Sequence, residues 1–193
     1  MHIKSQNFFV LGISKSGKSV CDYILEQGSK CYVYEENTTP KILQVREELI
    51  SKGAEIVEQE NVDYALKEID VLVISPGVPI NHEIAIKAKK LGKRIISEIE
   101  FGFNALNPCV IAVTGTNGKT TTVSLIDSII KADNKKSLAL GNVGVPVTQK
   151  TKEIDNDTYC VTEVSSYQLE SITALCPHVA CVLNISPDHL ERH

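Results

Sequence analysis

The sequence predicts an α/β protein in which a parallel sheet with helices on its faces is followed by the start of a second unit of the same kind. Two observations predict this fold. Short apolar runs of strand length alternate with segments whose apolar residues recur at helical spacing, and a glycine-rich loop joins such a run to such a segment twice. The net charge of −4 gives no broad attraction to nucleic acid or to a membrane surface, so neither is expected as a partner.

The first half alternates strand-like runs with helical stripes, beginning with the apolar run at Phe8. Strands are predicted at "FFVLG", "CYVYEE", "AEIV", "VLVISPG" and "RIIS". Helices are predicted after the glycine loop, from Pro40 to Lys52, and along a later apolar stripe that Gly92 ends. Strands separated by helices in this way favour a parallel sheet.

The pattern restarts around Asn107, which predicts a first domain over residues 1–107 and the start of a second over residues 108–193. Strands are predicted here at "CVIAVTG", "KSLALGN", "TYCVTEVSS" and "HVACVLNIS". The helix after the first of them carries Val123, Ile126 and Ile130 on one face.

Two glycine loops resemble each other. "GISKSGKS", from Gly12 to Ser19, fits the phosphate-loop pattern GxxxxGK[ST], whereas "VTGTNGKT" has Val113 in place of its first glycine. Both loops follow a strand and open a helix, so both can direct backbone N–H groups at an anion. A triphosphate also needs a magnesium ion, held by the Ser/Thr after the lysine and by a carboxylate on a neighbouring strand.

The neighbouring strands favour the second loop as the triphosphate site. Near the first loop, the strand "VLVISPG" ends without a carboxylate, and Glu35 and Glu36 lie at the spacing of an acid that binds a nucleotide sugar. Near the second loop, Glu163 ends a strand, and Asp188 and His189 follow another strand at the same sheet edge. The first loop is therefore expected to hold a nucleotide by its diphosphate and its sugar or base.

The six cysteines show no CxxC spacing, which predicts small buried residues in a reducing compartment rather than a metal cluster or disulfides. The apolar runs are too short to span a bilayer, and the N-terminus lacks the pattern of a signal peptide. A cytoplasmic location is the expectation.

Several motifs together resemble the family of Mur ligases and folylpolyglutamate synthases. "GTNGKT" is similar to the ATP loop of that family, and "GNVGVP", "EVSSYQLE" and "NISPDHLERH" follow in the family's order. "SSYQLE", "SPGVP" and "SEIEF" most resemble the member that adds D-glutamate. The resemblance covers essentially the whole chain.

The resemblance implies a Rossmann-like UDP-binding domain followed by the start of a P-loop-type ATP-binding domain. It implies a monomeric, cytoplasmic enzyme of peptidoglycan synthesis that uses ATP and Mg²⁺. The substrates would be UDP-N-acetylmuramoyl-L-alanine and D-glutamate, joined through an acyl phosphate.

The resemblance also implies site residues. The ATP-binding set is Gly115, Thr116, Asn117, Gly118, Lys119, Thr120 and Thr121. The metal ligands would be Thr120, Glu163 and His189, with Asp188 orienting His189, and the catalytic set Lys119, Glu163 and His189. The UDP substrate would contact Ser16, Gly17, Glu35, Ser75, Gly77, Asn142 and His189. Glu35 stands where the family usually has aspartate, and Ser14 where it has a second glycine.

The family's carbamylated lysine and its C-terminal, amino-acid-binding domain are not in this sequence, so residues 1–193 alone are expected not to turn over. Two alternatives remain: another member of the same superfamily, or a nucleotide-binding module without catalysis. An NAD-dependent oxidoreductase is disfavoured because the first loop lacks GxGxxG.

Overall fold

The computed structural model describes residues 3–141 and 145–188. The first half contains one five-stranded sheet in the order β3-β2-β1-β4-β5, and every pair in it is parallel. Its strands are β1 (Phe8–Leu11), β2 (Cys31–Tyr34), β3 (Glu55–Ile56), β4 (Val71–Ile74) and β5 (Arg94–Ser97). Its helices are α1 (Lys15–Glu26), α2 (Pro40–Ser51), α3 (Val62–Glu68), α4 (Glu83–Lys90) and α5 (Glu98–Leu106).

The first sheet is covered on both faces. Phe8 and Val10 of β1 face one apolar cluster, and Phe9 and Leu11 of the same strand face the other. Both clusters are possible because β1, β2 and β4 are continuous apolar runs, which is typical of strands buried on both sides. The strand order reverses at β1, because β2 and β3 are added on one side of it and β4 and β5 on the other. The loop after β1 therefore opens at a topological switch point.

The second half contains a four-stranded sheet, also parallel throughout, in the order β7-β8-β6-β9. The elements are β6 (Cys109–Thr114), α6 (Lys119–Ala132), β7 (Ser137–Gly141), β8 (Tyr159–Glu163), α7 (Ser166–Leu169) and β9 (Val179–Val182). Short 3-10 helices occupy Ile3–Ser5, Gln59–Asn61 and Val147–Lys150. The predicted α/β fold with parallel sheets is confirmed.

Three helices were not predicted from the sequence, namely α3, α5 and α7. In α5 Gly102 interrupts the run of apolar residues, and the aromatic residues of this helix also suit a strand. The six cysteines are all unpaired; Cys21, Cys31 and Cys160 are buried as expected, whereas Cys176 is exposed. Among the helices of the described residues, none combines the length and the apolar character that a membrane crossing requires.

Candidate functional site

The second glycine loop joins β6 to α6 at the carboxyl edge of the second sheet. Gly115 and Gly118 have φ values of +138° and +85°, which L side chains rarely adopt, so glycine is needed at both positions. A Cβ at Gly115 would also lie 3.0 Å from the carbonyl oxygen of Asn184. The loop therefore follows a tight path against the segment after β9.

That segment holds the loop by a set of hydrogen bonds. The Asn117 N–H donates to Asn184 Oδ1 at 2.9 Å, and Asn184 Nδ2 donates to the Asn117 carbonyl at 3.0 Å. The Thr116 hydroxyl donates to the Ser186 carbonyl at 3.1 Å and accepts from the Ser186 N–H at 3.0 Å. Asn184 thus shapes the loop, a role that sequence reasoning missed although the motif "NISPDHLERH" contains it.

Thr120 and Glu163 meet at the start of α6. The Thr120 hydroxyl donates to Glu163 Oε2 at 2.7 Å, although the two residues are 43 positions apart. Glu163 ends β8, one of the two inner strands of the sheet, and is only 2% exposed. A hydroxyl and a carboxylate are hard oxygen donors of the kind that Mg²⁺ prefers, so the residues present fit that ion.

Within residues 3–141 and 145–188, no three histidine, cysteine or acidic side chains cluster closely enough to hold a metal.

Lys119 reaches back over its own loop. Its Nζ donates to the carbonyl oxygens of Gly115 at 2.7 Å and Thr116 at 3.0 Å. The ammonium group is therefore held beside the backbone that would receive phosphates.

A cleft of about 420 Å³ opens beside this loop. Its lining includes Gly115, Thr116, Lys119, Tyr167 and Asp188. Two predicted site residues, Asn142 and His189, lie outside the described residues. Thr121 is exposed in the first turn of α6.

In the first loop, the lysine and serine of the phosphate-loop pattern make structural contacts. Lys18 Nζ donates to Asp22 at 2.7 Å and to Glu48 at 2.8 Å. Partial burial lowers the pKa of Lys18, but the hydrogen bonds to the two carboxylates outweigh this effect and raise that pKa above its usual value. Ser19 is 4% exposed and lies 2.7 Å from the hydroxyl of Thr148 in the second half.

Gly17 and Ser75 build the base of the first loop. A Cβ at Gly17 would lie 1.8 Å from the Gly12 carbonyl oxygen, so only glycine lets α1 pack this close to the loop. The Ser75 hydroxyl donates to the same carbonyl at 2.7 Å. Both positions therefore shape the loop, and their direct contact with a ligand stays a prediction.

Glu35 joins the first loop to a second cleft. Its Oε2 accepts from the Ile13 N–H and its Oε1 from the Asn37 N–H, both at 2.9 Å. The cleft has a volume of about 440 Å³, and Gly12, Glu35 and Gly77 are in its lining. Ser16 lies half-buried in the first turn of α1. The cleft lies at the switch point, where parallel sheets bind nucleotides.

Comparison with known proteins assigns both halves. A family model of the Mur ligase MurD-like N-terminal domain matches residues 6–97, and one of the Mur ligase middle domain matches residues 113–193. Among solved structures, a UDP-N-acetylmuramate:L-alanyl-gamma-D-glutamyl-meso-diaminopimelate ligase from Neisseria meningitides has a TM-score of 0.56 at 18% identity. That match covers 97% of this chain and 63% of the other, and at this identity it shows the fold alone.

Curated relatives are more similar in sequence. UDP-N-acetylmuramoylalanine--D-glutamate ligase from Lachnospira eligens is 40% identical over all of this chain and 43% of its own length. The proteins of the same name from Protochlamydia amoebophila and Clostridioides difficile are 40% and 37% identical, over 97% and 100% of this chain and 44% and 43% of theirs. The chain thus spans less than half the length of these relatives. It belongs to the Mur ligase family and carries that family's N-terminal and middle domains.

Proposed function

We propose that the full-length protein carrying this chain is an ATP-dependent ligase that adds D-glutamate to UDP-N-acetylmuramoyl-L-alanine in peptidoglycan synthesis. The names of the most similar curated relatives support this substrate pair. The observation that carries the proposal is the contact of Thr120 with Glu163 at the head of the second glycine loop. This contact supports the proposal because phosphoryl transfer requires a carboxylate that can hold a metal ion next to the loop that holds the phosphates.

The proposed reaction has two steps because a carboxylate is a poor electrophile. An oxygen of the alanyl carboxylate attacks the γ-phosphorus of ATP, the bond to ADP breaks, and an acyl phosphate results. The amine of D-glutamate then attacks the acyl carbon, phosphate leaves, and the amine loses a proton to give the amide. The protein's contribution is to bring two polyanions together and to balance their charge.

The second glycine loop and its neighbours would bind ATP and the metal ion. Lys119 neutralises charge on the γ-phosphate, and the backbone N–H groups of residues 115–120 hold the phosphates. Thr120 and Glu163 would hold Mg²⁺, which screens the transferred phosphoryl group when bound. His189 is proposed as a further metal ligand, oriented by Asp188. These assignments extend the contacts described above.

The cleft lined by Gly12, Glu35 and Gly77 is proposed to bind the UDP part of the substrate. Glu35 would face the uracil or the ribose, and Ser16 and Gly77 would border the nucleotide, with Asn142 near the reacting end. Lys18 and Ser19 take no part in binding triphosphate, since their contacts are with Glu48, Asp22 and Thr148. The proposal places the reaction in the cytoplasm, in a monomeric enzyme.

An isotope experiment tests the proposal. The full-length protein is given ATP, D-glutamate and UDP-N-acetylmuramoyl-L-alanine in which both oxygens of the alanyl carboxylate are ¹⁸O. We expect ADP, the amide, and inorganic phosphate with one ¹⁸O per turnover, since the acyl phosphate transfers a carboxylate oxygen to phosphorus.

Formation of AMP and pyrophosphate, or phosphate without label, would contradict the acyl-phosphate route. A panel of amino acids in place of D-glutamate tests the specificity, and faster turnover with L-alanine or a diamino acid would move the protein to another member of the family. Residues 1–193 alone serve as the control, for which no turnover is expected.

A further inference from the structure

Helix α5 carries two buried carboxylates that contact the second half of the chain. Glu98 and Glu100 are 2% and 0% exposed, although both are acidic residues in the first turn of a helix. Buried carboxylates are stable only when their oxygens are hydrogen-bonded. The partners of both residues come largely from the segments between β7 and β9.

Glu98 binds the 3-10 helix Val147–Lys150. Its Oε1 accepts from the Thr148 N–H at 3.1 Å and from the Thr148 hydroxyl at 2.9 Å. A hydroxyl has one proton, so when Thr148 donates to the carboxylate, the Ser19 hydroxyl 2.7 Å away must donate to Thr148. Burial raises the pKa of Glu98, and the hydrogen bonds from Thr148 and the Val147 backbone oppose this effect without cancelling it.

Glu100 binds the segment that follows α7. It accepts from the Thr173 N–H at 2.5 Å and the Thr173 hydroxyl at 2.9 Å, and from Arg94 of β5 at 2.9 Å. Burial raises the pKa of Glu100, but the hydrogen bonds from Thr173 and Arg94 outweigh it, so that pKa lies below its usual value. Glu100 therefore remains an anion that needs these donors.

The packing around these carboxylates is close. A Cβ at Gly102, one turn after Glu98, would lie 2.7 Å from Val147 Cγ1. The backbone of α5 thus lies directly against the 3-10 helix that Glu98 binds. Turning one half relative to the other would break these hydrogen bonds and leave buried carboxylates unsatisfied, which is costly.

We infer that Glu98 and Glu100 are positioning residues that fix the ATP-binding half against the UDP-binding half. The inference rests on the proposed function, in which the reacting groups of two bound ligands must meet across the two halves. A misplacement of about 1 Å can lower the rate of such a step about 100-fold. The inference also assigns a role to Ser19, the last residue of the first phosphate-loop pattern. Ser19 contacts Thr148 and so extends the hydrogen bonds of Glu98 into α1.

The test uses Thr148→Val and Thr148→Ser in the full-length protein, with Glu98→Gln and Glu100→Ala as further variants. Valine removes the hydroxyl between Ser19 and Glu98, whereas serine keeps it. We expect Thr148→Val and Glu100→Ala to lower kcat about 10- to 100-fold. Dissociation constants for ATP and for the UDP substrate, each measured alone, are expected to change less than about threefold. Thr148→Ser keeps the hydroxyl that donates to Glu98, and Glu98→Gln keeps a side-chain oxygen that can accept from Thr148. Both variants are expected to retain most of kcat.

Hydrogen exchange of the backbone amides at positions 148 and 173 supplies a readout that needs no turnover. We expect faster exchange in Thr148→Val and Glu100→Ala, with the rest of each half unchanged. A folded variant with faster exchange and unchanged kcat would overturn the positioning role. So would a loss of kcat that parallels weaker binding at one cleft. Absence of ligase activity in the unmodified protein would instead overturn the proposed function, and exchange would still report the contact.

Discussion

Replacing Lys119 by alanine is expected to lower kcat of the full-length protein about 100- to 1,000-fold, the usual loss when one preorganised group that stabilises transition-state charge is removed. The ammonium group lies within its own loop, bonded to the carbonyl oxygens of Gly115 and Thr116. In that position it would lie beside the phosphates that the loop is proposed to bind. The measurement is steady-state ADP release at saturating ATP.

Lys18→Ala is the matched control, because Lys18 is the lysine of Gly-Lys-Ser in the first loop, as Lys119 is the lysine of Gly-Lys-Thr in the second. Lys18 contacts Asp22 and Glu48, and pairs of this partly exposed kind contribute about 0–1 kcal/mol. We expect kcat of this variant within about twofold of the unmodified protein. Equal losses in the two variants, or a larger loss in Lys18→Ala, would contradict the assignment of the loops.

Replacing Glu163 by glutamine is expected to lower kcat about 1,000-fold and to raise the Mg²⁺ concentration needed for half-maximal activity. The charge stabilisation that a metal supplies is worth several kcal/mol, and each 1.36 kcal/mol is a factor of ten. Glutamine is similar in size and can still accept the hydrogen bond from Thr120, so the fold around β8 is retained. The variant therefore tests the negative charge itself.

Thr120 provides the control for Glu163. Thr120→Ser keeps the hydroxyl that lies 2.7 Å from Glu163 and is expected to retain most activity, whereas Thr120→Val loses the hydroxyl and is expected to behave like Glu163→Gln. A Glu163→Gln protein with an unchanged Mg²⁺ requirement would show that this carboxylate does not bind the metal.

Hydrophobic pattern was sufficient to predict the sheets. The apolar runs of β1, β2, β4 and β6 are too short and too continuous for surface helices, and the segments between them have helical spacing. Helix α7 has four residues, too few to show a period, and α5 combines aromatic residues with an internal glycine. Helices α5 and α7 depend on packing between the two halves of the chain, and a local sequence pattern does not show such long-range contacts.

The candidate site was predictable in part for the same reason. Thr120 and Glu163 lie at the carboxyl edge of parallel strands, so a strand assignment was enough to place them together. The contacts of Lys18 with Glu48 and of Ser19 with Thr148 span 30 and 129 positions, and no local pattern distinguishes them from a working phosphate loop. Glu98 and Glu100 are likewise acidic residues in the first turn of a helix, where acidic side chains are usually exposed, yet both are buried.

In our proposal the second glycine loop, with Thr120 and Glu163, binds the triphosphate and the first loop does not. A crystal structure of the full-length protein with Mg²⁺ and a non-hydrolysable ATP analogue tests it most directly. We expect the triphosphate on the backbone N–H groups of residues 115–120, with the metal in contact with Thr120 and Glu163. A triphosphate bound at residues 12–19, or a metal away from Glu163, would contradict it.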